Sequence, residues 1–281
     1  MSDIGFPANI HNYNLNVDNR ASRKKLAPPA GQPGGELITM DQVKRVMDAQ
    51  NNWRVRTKTI DEILHDVRDR IESDAEYMLV NSERFLDFFV QLLTDQNFKI
   101  VLNTLNVLNM IVGMPQQCER FEKLVKQELT QGQSWGLSNA VLSRHIPQIV
   151  KKLADSKNII RQEAVRCLFH MNEIMRSGSQ KENNFIALVL PYLNNSSNWH
   201  IREELLNLLI RCFLSTREQA EFDCFQILDS ILQLLLNDTK EKVRSLALEA
   251  VAAFASIGPP NKLSEAMFQL NVDKDVCELV A

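Results

Sequence analysis

The stretch Asn51-Asn52-Trp53-Arg54-Val55-Arg56 decides how this chain is read. It is a polar turn holding one tryptophan. It opens a run in which Ile60, Ile63, Leu64 and Val67 recur at the i, i+3, i+4, i+7 spacing of a helix that buries one face. A tryptophan at the head of such a run sits ahead of the apolar stripe and need not reach a core. The turn then recurs, as Asp95-Gln96-Asn97-Phe98-Lys99-Ile100 and as Asp155-Ser156-Lys157-Asn158-Ile159-Ile160-Arg161. Two more copies are Ser196-Ser197-Asn198-Trp199-His200-Ile201-Arg202 and Asp238-Thr239-Lys240-Glu241-Lys242-Val243-Arg244. Each follows one helical apolar run and precedes another. The chain is therefore predicted to be an all-α repeat of helical hairpins.

The expected helix pairs are 40–50 with 55–72, 82–94 with 99–112, 140–153 with 159–176, 183–194 with 201–215, and 222–236 with 242–256, with Thr39 or Asp41 as the first N-cap. Arg161 and Arg202 are 41 residues apart, Arg202 and Arg244 42, and Arg56 and Val101 45. These periods predict an α-solenoid of about six HEAT-like helical hairpins. The interval from Val101 to Arg161 is longer, at 60. The excess falls around 118–136, where Glu119–Leu129 reads as an inserted helix. Residues 262–281, with Ala266, Met267, Leu270 and Val276, read as a cap over the last repeat.

Residues 1–38 are predicted to be an irregular tail and 39–281 the helical domain. Ala27-Pro28-Pro29-Ala30-Gly31-Gln32-Pro33-Gly34-Gly35 is incompatible with a helix. The tail's cluster Arg20-Ala21-Ser22-Arg23-Lys24-Lys25 is either part of a solvated leader or a basic arm for an acidic partner.

Composition narrows the function classes. A net charge of −3 over 281 residues argues against general nucleic-acid binding, which needs a basic excess to neutralise phosphates. Cys118, Cys167, Cys212, Cys224 and Cys277 form no CxxC pair and read as core residues of a reducing compartment. No apolar run approaches the roughly 20 residues needed to cross a bilayer, and the first residues carry no signal-peptide h-region. An intracellular protein without a membrane partner is expected. A Gly-rich phosphate loop, HExxH and GxSxG are all missing, and His11, His65, His145, His170 and His200 are dispersed. His170 reads as a satisfied packing residue. No cofactor, metal or enzymatic activity is expected.

Within the turns, Asp155 and Arg161 are six apart, as are Asp238 and Arg244. An Asp after the first helix can cap the second and pair with the arginine of a neighbouring repeat. These four residues are assigned to structure, with Arg56 and Arg202 in the same part with weaker partners. The remaining turn residues are the candidate site: Trp53, Arg54, Lys99, Lys157, Asn198, His200, Lys240 and Lys242. Equivalent turns of a solenoid align along one edge. The edge would be a row of cations with exposed aromatics, suited to an acidic protein surface.

The turns at 52–56, 95–100 and 153–161 together resemble those of a TOG domain, the paddle of six HEAT repeats in microtubule polymerases, CLASP-type rescue factors and the ciliary crescerin group. The resemblance spans about residues 40–275. It implies that the thin edge of turns binds the αβ-tubulin heterodimer. Trp53 would then anchor the first turn beside Arg54. Lys99 and Lys157 would serve the second and third turns, Asn198 and His200 the fourth, and Lys240 and Lys242 the fifth. Trp199 departs from the family's fourth turn. Polymerases string several such domains together, whereas this chain carries one. The resemblance therefore points to a non-enzymatic, lattice-bound accessory or structural protein of the crescerin kind. Its place would be the cytoplasm and cytoskeleton, with the axoneme of a cilium or flagellum as the candidate location. Other axonemal proteins would be candidate partners for the tail. The alternative is a general HEAT/armadillo scaffold that holds a protein on its helical face. An outward-facing Trp53 favours the first reading, and a buried one would remove its anchor.

Overall fold

The computed structural model describes residues 38–48, 52–117, 137–177, 185–215, 224–257 and 262–269. Met1–Glu36 and Leu37–Ala281 form separate units, and the architecture below belongs to the second. The tail, the expected inserted helix at 119–129 and most of the expected cap beyond Gln269 lie outside the described residues.

Every regular element among the described residues is helical. Helix α1 (Met40–Met47) opens on a capping box: Thr39 Oγ1 accepts from Gln42 N–H while Gln42 Oε1 accepts from Thr39 N–H. Helix α2 (Trp53–Ser73) buries Ile60, Ile63, Val67 and Ile71, the stripe expected from the opening stretch. Helix α3 spans Ala75–Leu92 and α4 Phe98–Gln117. Helix α5 (Asn139–Val150) tightens into a 3-10 turn over Lys151–Ala154 before α6 (Asn158–Ser177). Then come α7 (Phe185–Asn195), α8 (Trp199–Ser215), α9 (Cys224–Asn237), α10 (Glu241–Ile257) and α11 (Lys262–Gln269).

Helix α3 begins seven residues earlier than expected, because Asp74 both ends α2 and caps α3 by accepting from Tyr77 N–H at 3.2 Å. One non-helical residue suffices for that reversal, and no Gly or Pro marks it.

Among the described residues, consecutive helices pair as five hairpins, α1/α2 to α9/α10. The second helices α2, α4, α6, α8 and α10 pack on one another in order, and so do α3, α5, α7, α9 and α11. This is a two-layer α-solenoid, in which each inner helix touches its hairpin partner and both neighbours. Burial accordingly covers a wide arc: α8 buries Leu205, Leu206, Leu208, Leu209, Cys212 and Phe213. Phe89, Phe185 and Phe213 are the largest fully buried side chains, each contributing on the order of 2–3 kcal/mol of hydrophobic stabilisation.

The second to fifth of the turns between paired helices share one geometry. In three of them an aspartate accepts the backbone N–H two residues on: Asp95 from Asn97 at 2.8 Å, Asp155 from Lys157 at 2.9 Å and Asp238 from Lys240 at 2.8 Å. In the fourth, Ser196 Oγ accepts from Asn198 N–H at 3.2 Å. The arginine six places further on donates back to the first carbonyl of its own turn, as Arg161 to Asp155 O (3.0 Å), Arg202 to Ser196 O (2.6 Å) and Arg244 to Asp238 O (2.8 Å).

The same arginines link successive hairpins. Arg56 pairs with Asp95 at 2.6 Å, and Arg202 grips Asp238 with both Nε (2.6 Å) and Nη2 (3.1 Å). Arg56 and Arg202 therefore hold the close inter-repeat carboxylates, against the expectation that their partners would be weaker. The reason lies in register. Asp155 receives no arginine from the preceding repeat because that place is Val101, which is buried. Arg161 finds Ser196 where the next aspartate would be, and its Nε turns to Glu204 at 3.1 Å instead.

Candidate functional site

Aligned on that ladder, the aromatics fall in one place. Trp53, Phe98 and Trp199 are each the first residue of a second helix, three positions past the turn's opening place. The residue after each has its N–H tied to an asparagine side chain, Arg54 to Asn52 (3.0 Å), Lys99 to Asn97 (3.0 Å) and His200 to Asn198 (2.9 Å). Asparagine at the cap position thus fixes where each helix starts, and with it where the aromatic and its basic neighbour stand.

In the first three turns these side chains are exposed and interlocked. Trp53 is 36% exposed and Phe98 41%. Arg54 lies over the Trp53 ring at 5.3 Å, and Lys99 Nζ, from the next turn, lies over the same ring at 4.7 Å. Lys157 Nζ, from the third turn, lies over the Phe98 ring at 4.5 Å. Each ring is therefore covered by a cation from the following repeat, an attraction of about 0.5–1 kcal/mol at exposed sites. Trp53 faces outward. The arrangement presents one guanidinium and two ammonium groups on flat apolar surface, chemistry that suits a carboxylate-bearing protein face.

The later turns are built differently. Trp199 is partly buried against the core and stacks on His200, with ring centroids 3.7 Å apart. His200 Nδ1 lies 3.2 Å from Glu203 Oε2, and Lys242 Nζ pairs with Glu203 Oε1. Asn198 spends its side chain on the helix cap. Lys240 is exposed, and its carbonyl accepts the first N–H groups of α10.

The structure thus brings Trp53, Arg54, Lys99 and Lys157 together, places Asn198, His200 and Lys242 in a second cluster, and leaves Lys240 beside that cluster. Two residues of consequence escaped the sequence reading. Phe98 could have been found by aligning the turns on Asp95. Glu203 had only its i,i+3 spacing from His200 as a local signal, since its other partner Lys242 comes from another repeat.

The described residues contain no group of three or more His, Cys, Asp or Glu that could hold a metal, and none of their helices is long and apolar enough to cross a membrane. Burial drives the His170 imidazole down to about 4, aided by the Arg166 charge, and its Nδ1 is buried without a hydrogen-bond partner. It packs, but it is not satisfied as expected. Burial likewise lowers His145, against the opposing pull of Asp87. Cys167 and Cys212 are buried thiols, and burial pushes the Cys212 thiol up to about 12.

No family model matches the chain. A mouse (Mus musculus) protein, TOG array regulator of axonemal microtubules protein 1, is 29% identical over 223 residues, which are 79% of this chain and 11% of that protein. This chain thus spans about a tenth of that relative's length. Among solved structures, the TOG domain of crescerin superposes with a TM-score of 0.59 at 25% identity, over 87% of this chain and 88% of that one. The helical unit is similar to a TOG domain of the crescerin kind. Mini spindles TOG3 of Drosophila melanogaster shares the fold at a TM-score of 0.59 and 15% identity, over 84% and 88% of the two chains. In this TOG-like unit the first three turns carry the exposed aromatic and basic side chains, and the fourth and fifth carry an internally paired cluster.

Proposed function

We propose that this chain binds αβ-tubulin through the edge formed by its inter-helix turns, as a non-enzymatic component of the microtubule lattice. The observation that carries this reading is the outward-facing Trp53, held between Arg54 and Lys99 at the head of a row of turns in one register. An exposed tryptophan flanked by cations is the kind of residue that dominates binding energy when an acidic partner covers it. Phe98 with Lys157 extends the same surface by one repeat.

The relatives support the assignment of partner and place. The mouse protein is named for regulating axonemal microtubules, and crescerin is described as using a TOG domain array to regulate microtubules in the primary cilium. By that likeness this chain acts at the cytoskeleton, within an axoneme, and has no catalytic step to perform.

The test is microtubule co-sedimentation beside size exclusion with free tubulin, for wild type and Trp53→Ala. Truncating a central anchor is expected to cost at least about 2 kcal/mol of binding, about thirtyfold or more in affinity. Helical content should be unchanged, because the ring is not part of the core. Pelleting lost in the variant supports lattice binding through the edge, and loss of a complex with free tubulin alone supports a tubulin carrier. A variant that binds like wild type would move the contact to the helical faces and defeat the proposal.

A further inference from the structure

Glu203 is 4% exposed at the start of α8, and two groups from the turn edge converge on it. His200 Nδ1 approaches one carboxylate oxygen at 3.2 Å and Lys242 Nζ the other. The register place that Glu203 occupies holds Thr57, Leu102, Gln162 and Ser245 in the other four turns. Only the fourth turn has a carboxylate there. In the first three turns, by contrast, Arg54, Lys99 and Lys157 stand over exposed rings, and none of the three has a carboxylate within ion-pair distance among the described residues.

We propose that Glu203 takes Lys242 and His200 out of the binding edge, so that the chain grips its acidic partner through the first three turns alone. This rests on the tubulin-binding reading and says which part of the edge does the binding. The physical ground is the cost of a buried carboxylate. A charge so sheltered is held by its partners, and pulling Lys242 onto another protein would leave Glu203 inside the fold with His200 as its one remaining contact of the two. A partner's surface carboxylate, still largely solvated, offers less in return. Trp199 is withdrawn by the same construction, since its ring stacks on the His200 that Glu203 holds. Lys240 remains at the fifth turn as a solvated charge, whose effect belongs to the association rate rather than to the grip.

The experiment uses the full chain and compares wild type, Lys242→Ala, Glu203→Gln and Lys99→Ala for binding to free αβ-tubulin and to microtubules at one salt concentration. Lys242→Ala is expected to bind within twofold of wild type, while Lys99→Ala weakens by about tenfold or more, as for a desolvated hot spot. Glu203→Gln frees one cation toward the partner and is expected to tighten binding by about threefold, the size of an exposed charge contact. A loss with Lys242→Ala as large as that of Lys99→Ala would overturn the proposal, and so would weaker or unchanged binding by a folded Glu203→Gln. Should Glu203→Gln lose helical content, Lys242→Ala decides, with its own helical content measured in the same way, because Lys242 is exposed and its removal leaves Glu203 the His200 contact. Lysine methylation gives an independent check: the partner should protect Lys99 and Lys157 and leave the reactivity of Lys242 as in the free chain. Wild type that binds neither form of tubulin would defeat the functional reading itself, and this inference with it.

Discussion

Two joints of the solenoid are made of different chemistry. Where α8 meets α10, Arg202 closes a two-pronged ion pair on Asp238, whose side chain is only 2% exposed. Where α4 meets α6, the same register place holds Val101, and Asp155 has no arginine to receive. That joint is held by apolar packing, by Asn109 donating to the Glu163 carboxylate and carbonyl at 2.8 and 3.0 Å, and by Lys157 lying over Phe98. The ladder of charges is therefore one way to fix the angle between hairpins, and hydrophobic contact is another. What the ion pair adds is a penalty for being broken: a carboxylate buried beside an arginine cannot lose it cheaply.

The sharpest way to break the comparison is Arg202→Ala. It strands Asp238 and removes the brace on Ser196 O, and is expected to cost about 3 kcal/mol of unfolding free energy, measured by urea denaturation. The pH dependence should change with it. Burial raises the Asp238 carboxyl, but the Arg202 hydrogen bond, the Lys240 N–H and the charges of Arg202 and Arg244 outweigh it and hold the group below the ordinary carboxylate range. Folded protein then binds this proton less well than unfolded chain. The stabilisation is complete above the ordinary aspartate value near pH 4 and is lost as pH falls through the lower folded value. Wild type should lose stability on that acid limb, and Arg202→Ala should lose less over the same step. Equal acid limbs would show that Asp238 is not held by Arg202.

The joint between α6 and α8 sits between the two extremes and can be moved. Arg161 reaches Glu204 because the fourth turn opens with Ser196 instead of aspartate. Glu204→Gln should cost about 2 kcal/mol, since it removes the charge from a sheltered arginine. Ser196→Asp rebuilds the turn as the second, third and fifth already have it, and should be neutral or stabilising by up to about 1 kcal/mol. Combined, the two should couple: the penalty of Glu204→Gln falls in the Ser196→Asp background, because Arg161 regains a carboxylate. A double-mutant cycle in denaturant measures this directly, and strict additivity would show that Ser196 does not stand in the aspartate's place.

How much of this was legible in the sequence follows from the range of each interaction. The helix periodicity and the Asp-to-Arg interval are local, so the hairpins, the position of the turns and the structural role of Asp238 and Arg244 could be read directly. The start of α3 could not, because Asp74 ends one helix and caps the next without any Gly or Pro to mark the break. The site divides the same way. Trp53, Arg54, Lys99 and Lys157 stand where an aligned row of turns puts them. Whether a given cation is available is a different matter, decided by residues about forty positions away: Lys242 meets Glu203, Arg202 meets Asp238, and neither pairing is visible within one turn.

The smallest effect separates the two uses of the exposed cations. Lys157 Nζ lies over Phe98, which joins the second and third turns, and the same cation belongs to the surface offered to a partner. Lys157→Ala should lower stability by no more than about 0.5–1 kcal/mol, the worth of an exposed cation–π contact, detectable as a small shift of the denaturation midpoint. If its main part is recognition, the loss in tubulin binding will exceed that stability change, and Lys157→Arg, which keeps both the charge and the stacking, will restore binding. A stability loss of several kcal/mol would instead make Lys157 a structural strut of the one joint that lacks an arginine, and the row of cations would begin to read as architecture.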